Sequence, residues 1–223
     1  MEKKLRTKDR ILQASIALFN DVGERQVTTN HIAAHLGISP GNLYYHFRNK
    51  EDIVRQIFRE YAKLLDTRIK PPAHSSQALD ALTDYLDAVF ELMWRFQFFY
   101  ANLPDILARD PALQQDYLQV QQGVLGRVMS VIKALKEAGV IKIDDNDIRD
   151  VAHNIKLLVT FWISYLKTQA PDAVVNKANL YRGVLKVLLL FKPYATAEAL
   201  PDINKLQQHY IELAGSDLAA ADL

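Results

Sequence analysis

Along most of this chain, apolar residues recur three and four positions apart, the period of a helix with one buried face; no strand-like alternation persists anywhere. Ile11, Leu12, Ile16, Leu18 and Phe19 begin the pattern, and it ends near Gly23. Ile32, Ala33 and Leu36 carry a short second stripe; Leu43 and Phe47, one turn apart, carry a third. A fourth helix is expected from Lys50 to about Ile69, with Ile53, Ile57, Tyr61, Leu64 and Leu65 inward and Pro71-Pro72 as its stop. After a loop over 70–76, where Ser75 or Ser76 can cap, Leu79, Leu82, Leu86, Val89, Phe90 and Met93 define a helix running toward Phe96. Pro104 is expected to open a short helical turn ending near Arg109. Asp110-Pro111, a cap followed by a first-position proline, opens a long helix to about Ala138 that contains Gly123 and Gly126. The remaining helices are expected at Ile148 to Lys167, Ala173 to Phe191 and Ile203 to Leu213. The fold class is all-α: a three-helix head, a connecting helix and a five- or six-helix body.

The short N-terminal helices carry the chemistry. Thr28, Ser39 and Asn49 each stand where a side-chain oxygen can accept an otherwise unpaired helix-start N–H. Pro40 falls at a first helical position and Gly37 suits the turn before it. Two helices joined by such a turn form a helix-turn-helix, whose second helix enters the DNA major groove. Leu43 and Phe47 point into the head, which leaves Asn42 and Tyr45, three apart on one face, as candidates for reading base edges. Tyr44, His46 and Lys50 are candidate phosphate contacts; Thr28, Thr29, Asn30, Ser39 and Gly41 complete the candidate DNA-binding set. His31 and His35 have metalloprotease-helix spacing, but Ile32 stands where the catalytic Glu belongs, so no metal or catalytic site is expected. The acidic run Asp144 to Asp150 lacks the Gly and terminal Glu of a calcium loop.

Thr28, Ile32, Ala33, Gly37, Ile38, Ser39, Gly41, Leu43, Tyr44, His46, Phe47, Lys50 and Glu51, at their fixed spacing, resemble the tetracycline-repressor (TetR) family of bacterial one-component regulators. The resemblance is close over roughly the first 60 residues; beyond them only length and helical pattern agree. It implies a homodimeric repressor that binds a double-stranded, pseudo-palindromic operator and is released by a small-molecule effector. In the family, the positions of Tyr44 and Lys50 commonly touch phosphate, and the last two long helices of each body form a four-helix dimer interface. The alternative is a DNA-binding adaptor whose body answers to a protein partner.

Charge distribution agrees with a DNA-binding head. Residues 1–70 hold 13 Lys and Arg against 8 Asp and Glu, while the chain as a whole carries only +1. Cys is absent, so disulfides and thiolate metal sites are excluded, and a cytoplasmic location is permitted. The start has no apolar core behind its charges, and the longest near-apolar run, Leu157 to Leu166, is too short to span a bilayer, so no membrane partner is expected. No cofactor-binding loop or nucleophile motif is present, so no enzyme activity is expected. The expected division is 1–49 for the DNA-binding domain, 50–70 for the connecting helix, 71–214 for a ligand-binding and dimerisation domain, and 215–223 for a flexible tail. Within the body, the aromatic stretch Phe90, Met93, Trp94, Phe98, Phe99 and Leu103, with Tyr117 and Phe161 opposite, is either a pocket wall for an apolar or amphipathic ligand or plain core. Trp162, Tyr165, Val184 and Leu188 are candidate dimer anchors, on helices apolar on more than one side; they could equally face the body's own core.

Overall fold

The computed structural model describes residues 6–70, 77–170 and 174–215. Among them lie ten α-helices: α1 (Thr7–Val22), α2 (Thr29–Leu36), α3 (Pro40–His46), α4 (Lys50–Arg68), α5 (Ala78–Arg95), α6 (Gln97–Arg109), α7 (Pro111–Glu137), α8 (Ile148–Gln169), α9 (Lys177–Phe191) and α10 (Leu200–Leu213). The described residues hold no strand, only one isolated bridge between Ile141 and Ala195. The cap candidates Ser75 and Ser76 and nearly all of the expected tail lie outside the described residues.

Three helix starts follow the sequence reading atom for atom. Thr28 Oγ1 accepts from the His31 N–H at 3.2 Å, Ser39 Oγ from Asn42 at 3.2 Å and Asn49 Oδ1 from Asp52 at 2.9 Å. At Thr28 the exchange is reciprocal, since His31 Nδ1 accepts the Thr28 N–H at 3.3 Å; this is a capping box with His in place of the usual Glu. Gly37, at φ 65°, closes α2 in the left-handed conformation that its missing Cβ permits.

Three boundaries differ from expectation. The aromatic stretch before Pro104 is already helical, so α6 begins at Gln97 and bends at Asn102. Pro104 cannot donate to the Tyr100 carbonyl one turn earlier, and Ser164 Oγ of α8 takes that acceptor at 2.9 Å. The helix expected from Ala173 starts at Lys177, capped by Asn176 in a second reciprocal box with Asn179; Ala173 itself lies outside the described residues. The last helix starts three residues early, at Leu200, because Pro201 sits in its first turn.

Helix α8 packs against α6, α7 and α9, while α9 packs against α5, α8 and α10. Helix α4 reaches both halves of the molecule, touching α1, α5 and α7. One apolar core runs from Ile11 of α1 to Tyr210 of α10 without a break. The α1–α2 side is fastened to α6 as well as joined through α4. Phe19 meets Phe98 edge to face at 5.1 Å. Asn20 donates to the Arg95 carbonyl at 3.0 Å and accepts the Phe98 N–H at 2.9 Å, bridging the break between α5 and α6.

Candidate functional site

The short helix α3 is pinned on one face and open on the other. Leu43 and Phe47 are buried, with Lys8 Nζ 5.5 Å above the Phe47 ring. Asn42, Tyr44 and Tyr45 face outward, and Tyr45 is 85% exposed. The two buried side chains fix the helix, and the exposed face leaves Asn42 and Tyr45 accessible. Tyr44 is partly committed within the head, its hydroxyl 3.0 Å from Thr29 Oγ1. That bond ties the recognition helix to the start of α2.

Beside it, Thr28, Thr29, Tyr44, Arg48, Asn49 and Lys50 surround an open notch of about 260 Å³. Hydroxyls, an amide and cations around a notch suit a backbone phosphate. The Lys50 ammonium, however, turns inward: it donates to the Glu24 carbonyl at 2.9 Å and pairs with the Glu24 carboxylate at 3.1 Å. The candidate phosphate contact Lys50 thus has its charge matched by Glu24 in this structure. Arg48 is the exposed cation of the notch, with no ion pair among the described residues. The sequence reading passed over it; the signal available was a basic residue just before the Asn49 cap. Thr28, Asn30, Ser39 and Gly41 are exposed around the same surface, Thr29 and His46 half-buried, and Tyr45 meets His46 edge to face at 5.1 Å. His31 is engaged in its cap, and the described residues contain no cluster of three or more metal-ligating side chains that includes it.

Glu24 is a charge hub, only 2% exposed, which also accepts from Arg109 of α6 at 2.6 Å. Arg25 pairs with Asp105, and Arg55 of α4 holds Asp110 at 2.6 and 3.2 Å. Burial pushes the Asp110 carboxyl up. Arg55 and the Leu113 and Ala112 N–H groups that it caps pull it down harder, so it settles below the usual range.

In the body, the expected pocket wall is core. Phe99 is buried among Phe58, Tyr61 and Tyr117, and Phe98 between Phe19 and Phe99; Met93 and Leu103 are buried too, and Phe90 stacks on Tyr181 at 4.0 Å. Trp94 lies at the surface under Lys177, and Phe161 faces outward on α8. A cavity of about 30 Å³ lies to one side, between α4, α5, α6, α7 and α8, and a larger open groove of about 380 Å³ lies between α8, α9 and α10; none of those eight residues lines either. Tyr61, Tyr85, Tyr100, Gln121, Lys156 and Thr160 give the small cavity a polar lining. Tyr61 and Tyr100 share a hydrogen bond at 3.2 Å inside it. No periodicity argument finds this set, because it comes from five different helices.

Two of the dimer anchors are also corrected. Val184 and Leu188 are 0% and 1% exposed within the protomer's own core, so they have no surface left for a partner. Leu157, Phe161 and Tyr165 instead form an exposed apolar stripe four residues apart on α8, with Leu189 of α9 beside them. Trp162 is half-buried, stacked with Tyr165 and donating its indole N–H to the Asn179 carbonyl at 2.8 Å.

Comparison with known proteins covers both halves. A family model described as bacterial regulatory proteins, tetR family, matches residues 11–57, and one described as TetR, bacterial transcriptional repressor, matches residues 60–203. The HTH-type transcriptional repressor KstR2 of Mycolicibacterium smegmatis is 34% identical over 92 residues, 38% of this chain and 42% of that one. The biofilm operon icaADBC negative transcriptional regulator IcaR of Staphylococcus aureus is 31% identical over 98 residues, 43% of this chain and 53% of its own. The chain thus spans about half the length of the curated relatives it matches. The crystal structure of a TetR-family transcriptional regulator from Marinobacter aquaeolei is 40% identical, covering 92% of this chain and 99% of that one at a TM-score of 0.81. No helix among the described residues is long and apolar enough to cross a membrane. With a helix-turn-helix head, a helical body and matches to both, this chain belongs to the TetR family of bacterial transcriptional repressors.

Proposed function

We propose that the chain works as a homodimer that reads a pseudo-palindromic operator through α3 and leaves it when a small apolar or amphipathic molecule enters the body. The observation that carries this reading is the reach of α4. Its first residue lines the phosphate notch, while Tyr61, Leu65 and Ile69, further along or just past the same helix, line the body cavity. A molecule that widens the cavity displaces the element on which the notch is built. It lowers operator affinity by as much as it prefers the widened state. This placement favours a small effector over a protein partner, which would need no internal cavity. Asn42 and Tyr45 read bases; Thr28, Thr29, Tyr44 and Arg48 hold the backbone; Leu157, Phe161, Tyr165 and Leu189 meet the second copy. On this reading the DNA-binding unit is 1–49, α4 is the connection and the body to residue 214 is the effector and dimer unit.

Selection of bound duplexes from a random pool tests it. The expected product is two inverted half-sites about one helical turn apart, bound by two chains. Enrichment of an asymmetric single site, or of nothing, would reject the dimeric operator reading.

A further inference from the structure

One wall of the small body cavity carries a cation, Lys156. Half-buried near the middle of α8, it donates to the main-chain carbonyl of Gln121 on α7 at 3.0 Å. That uses one of three ammonium donors. No carboxylate pairs with it among the described residues, although ten ion pairs are formed elsewhere among them. A partly desolvated ammonium without a counter-ion is a costly arrangement, and burial lowers its pKa. Nearby, buried Tyr85 lines the same cavity, and its hydroxyl makes no hydrogen bond among the described residues. The hydrogen-bonded Tyr61 and Tyr100 hydroxyls lie on the same wall. Leu65, Ile69, Val89, Leu92, Val124 and Val159 make the apolar part of the wall.

Resting on the effector reading above, we propose that the effector is an amphipathic monoanion. Its carboxylate meets Lys156 and the Tyr85 hydroxyl, and its apolar tail passes between α4 and α5. One ammonium balances one negative charge, which favours a carboxylate over a phosphate dianion. The hydroxyls donate to the second oxygen, and the aliphatic walls take the tail. The cavity of about 30 Å³ has room for little more than a water, so the tail enters by parting the helices.

Calorimetric titration of the full chain tests the proposal with three head groups on equal tails: decanoate, decan-1-ol and decylamine, all below their aggregation concentrations. Carboxylates of six to fourteen carbons cover tail length. The expected result is decanoate at least about tenfold tighter than either partner, as one charge-assisted contact gives. Lys156→Met should bring decanoate down to the level of decanol, Lys156→Arg should keep most of the preference, and Tyr85→Phe should reduce it about threefold. Equal affinities in the wild-type chain overturn the proposal without any variant. So does a preference that survives Lys156→Met in a variant that melts like wild type. Tighter binding of the alcohol or amine, with release of operator DNA, overturns the anion assignment and leaves the effector reading standing. If no carboxylate binds at millimolar concentration while the operator is still bound, both fall together.

Discussion

The Lys50 ammonium lies 2.9 Å from the carbonyl of Glu24 and 3.1 Å from its carboxylate, so the first residue of α4 is locked onto the α1–α2 loop. A cation so matched contributes little to the release of counter-ions from DNA. Lys50→Met should weaken operator binding by loosening the head, with the slope of log affinity against log salt nearly unchanged. Arg48→Ala should lower that slope by about one per chain and weaken all sequences alike. Salt titrations of both variants distinguish the two roles; the opposite assignment of slopes would return the phosphate contact to Lys50.

Base selectivity should reside in Asn42 and Tyr45. Asn42→Ala or Tyr45→Ala should cost about 1–3 kcal/mol on the preferred operator and relax preference at one or two base pairs. Competition among single-base operator variants measures it. A uniform loss across all of them would make these side chains backbone contacts.

The helix starts that support this surface were legible because a cap is a local device. Thr28, Ser39 and Asn49 need only their own next three residues, and each bonds as its sequence position foretold. What was not legible depends on packing. Val184 and Leu188 look the same in sequence as Leu157 and Leu189, yet the first two face their own core and the second two face outward. A helix apolar on more than one side does not declare which side is turned inward. Lys156 and Tyr85 are 71 residues apart and share a cavity only because α5 and α8 both border it. The sequence places a helix start at Pro104 and assigns none to Gln97–Asn102; Ser164, 60 residues on, supplies the bond that makes an interior proline tolerable there.

Dimerisation should depend on the exposed α8 stripe. Phe161→Glu or Leu157→Glu puts a charge into the centre of an apolar contact and should shift the chain to monomer while leaving its helicity intact. Sedimentation velocity at micromolar concentration checks this. Val184→Ala should instead lower the melting temperature with no specific effect on association, through the cavity left in the core.

Three glycines in α7 and α9 should behave in opposite ways. At Gly183 a Cβ would come within 2.5 Å of the Trp162 ring, so Gly183→Ala forces α8 and α9 apart and should destabilise by about 1–3 kcal/mol. At Gly126 a Cβ meets nothing within 4 Å and at Gly123 only the end of Arg127. Alanine there should stabilise by up to about 1 kcal/mol each. Denaturant melts decide the sign.

Asp110 carries a pH signature. Its folded pKa lies below the unfolded one, so its stabilisation is fully present above the unfolded value, near pH 4, and is lost as pH falls through the folded value. Asp110→Ala, which removes both the α7 cap and the Arg55 pair, should cost about 2 kcal/mol at pH 7. The gap from wild type should narrow below about pH 4. A gap independent of pH would mean that the charge contributes nothing.

The amide of Asn20 bears on how such regulators can be recombined. It sits in α1, yet it completes the backbone of the α5–α6 junction from both sides. A chimera cut at the start of α4, with this head grafted on a foreign body, would strand Asn20 and leave the recipient's own junction to whatever residue the new α1 carries. The transferable module is therefore not the contiguous stretch that touches DNA: it includes Arg95 to Phe98, which lie some 50 residues beyond the last residue of that stretch.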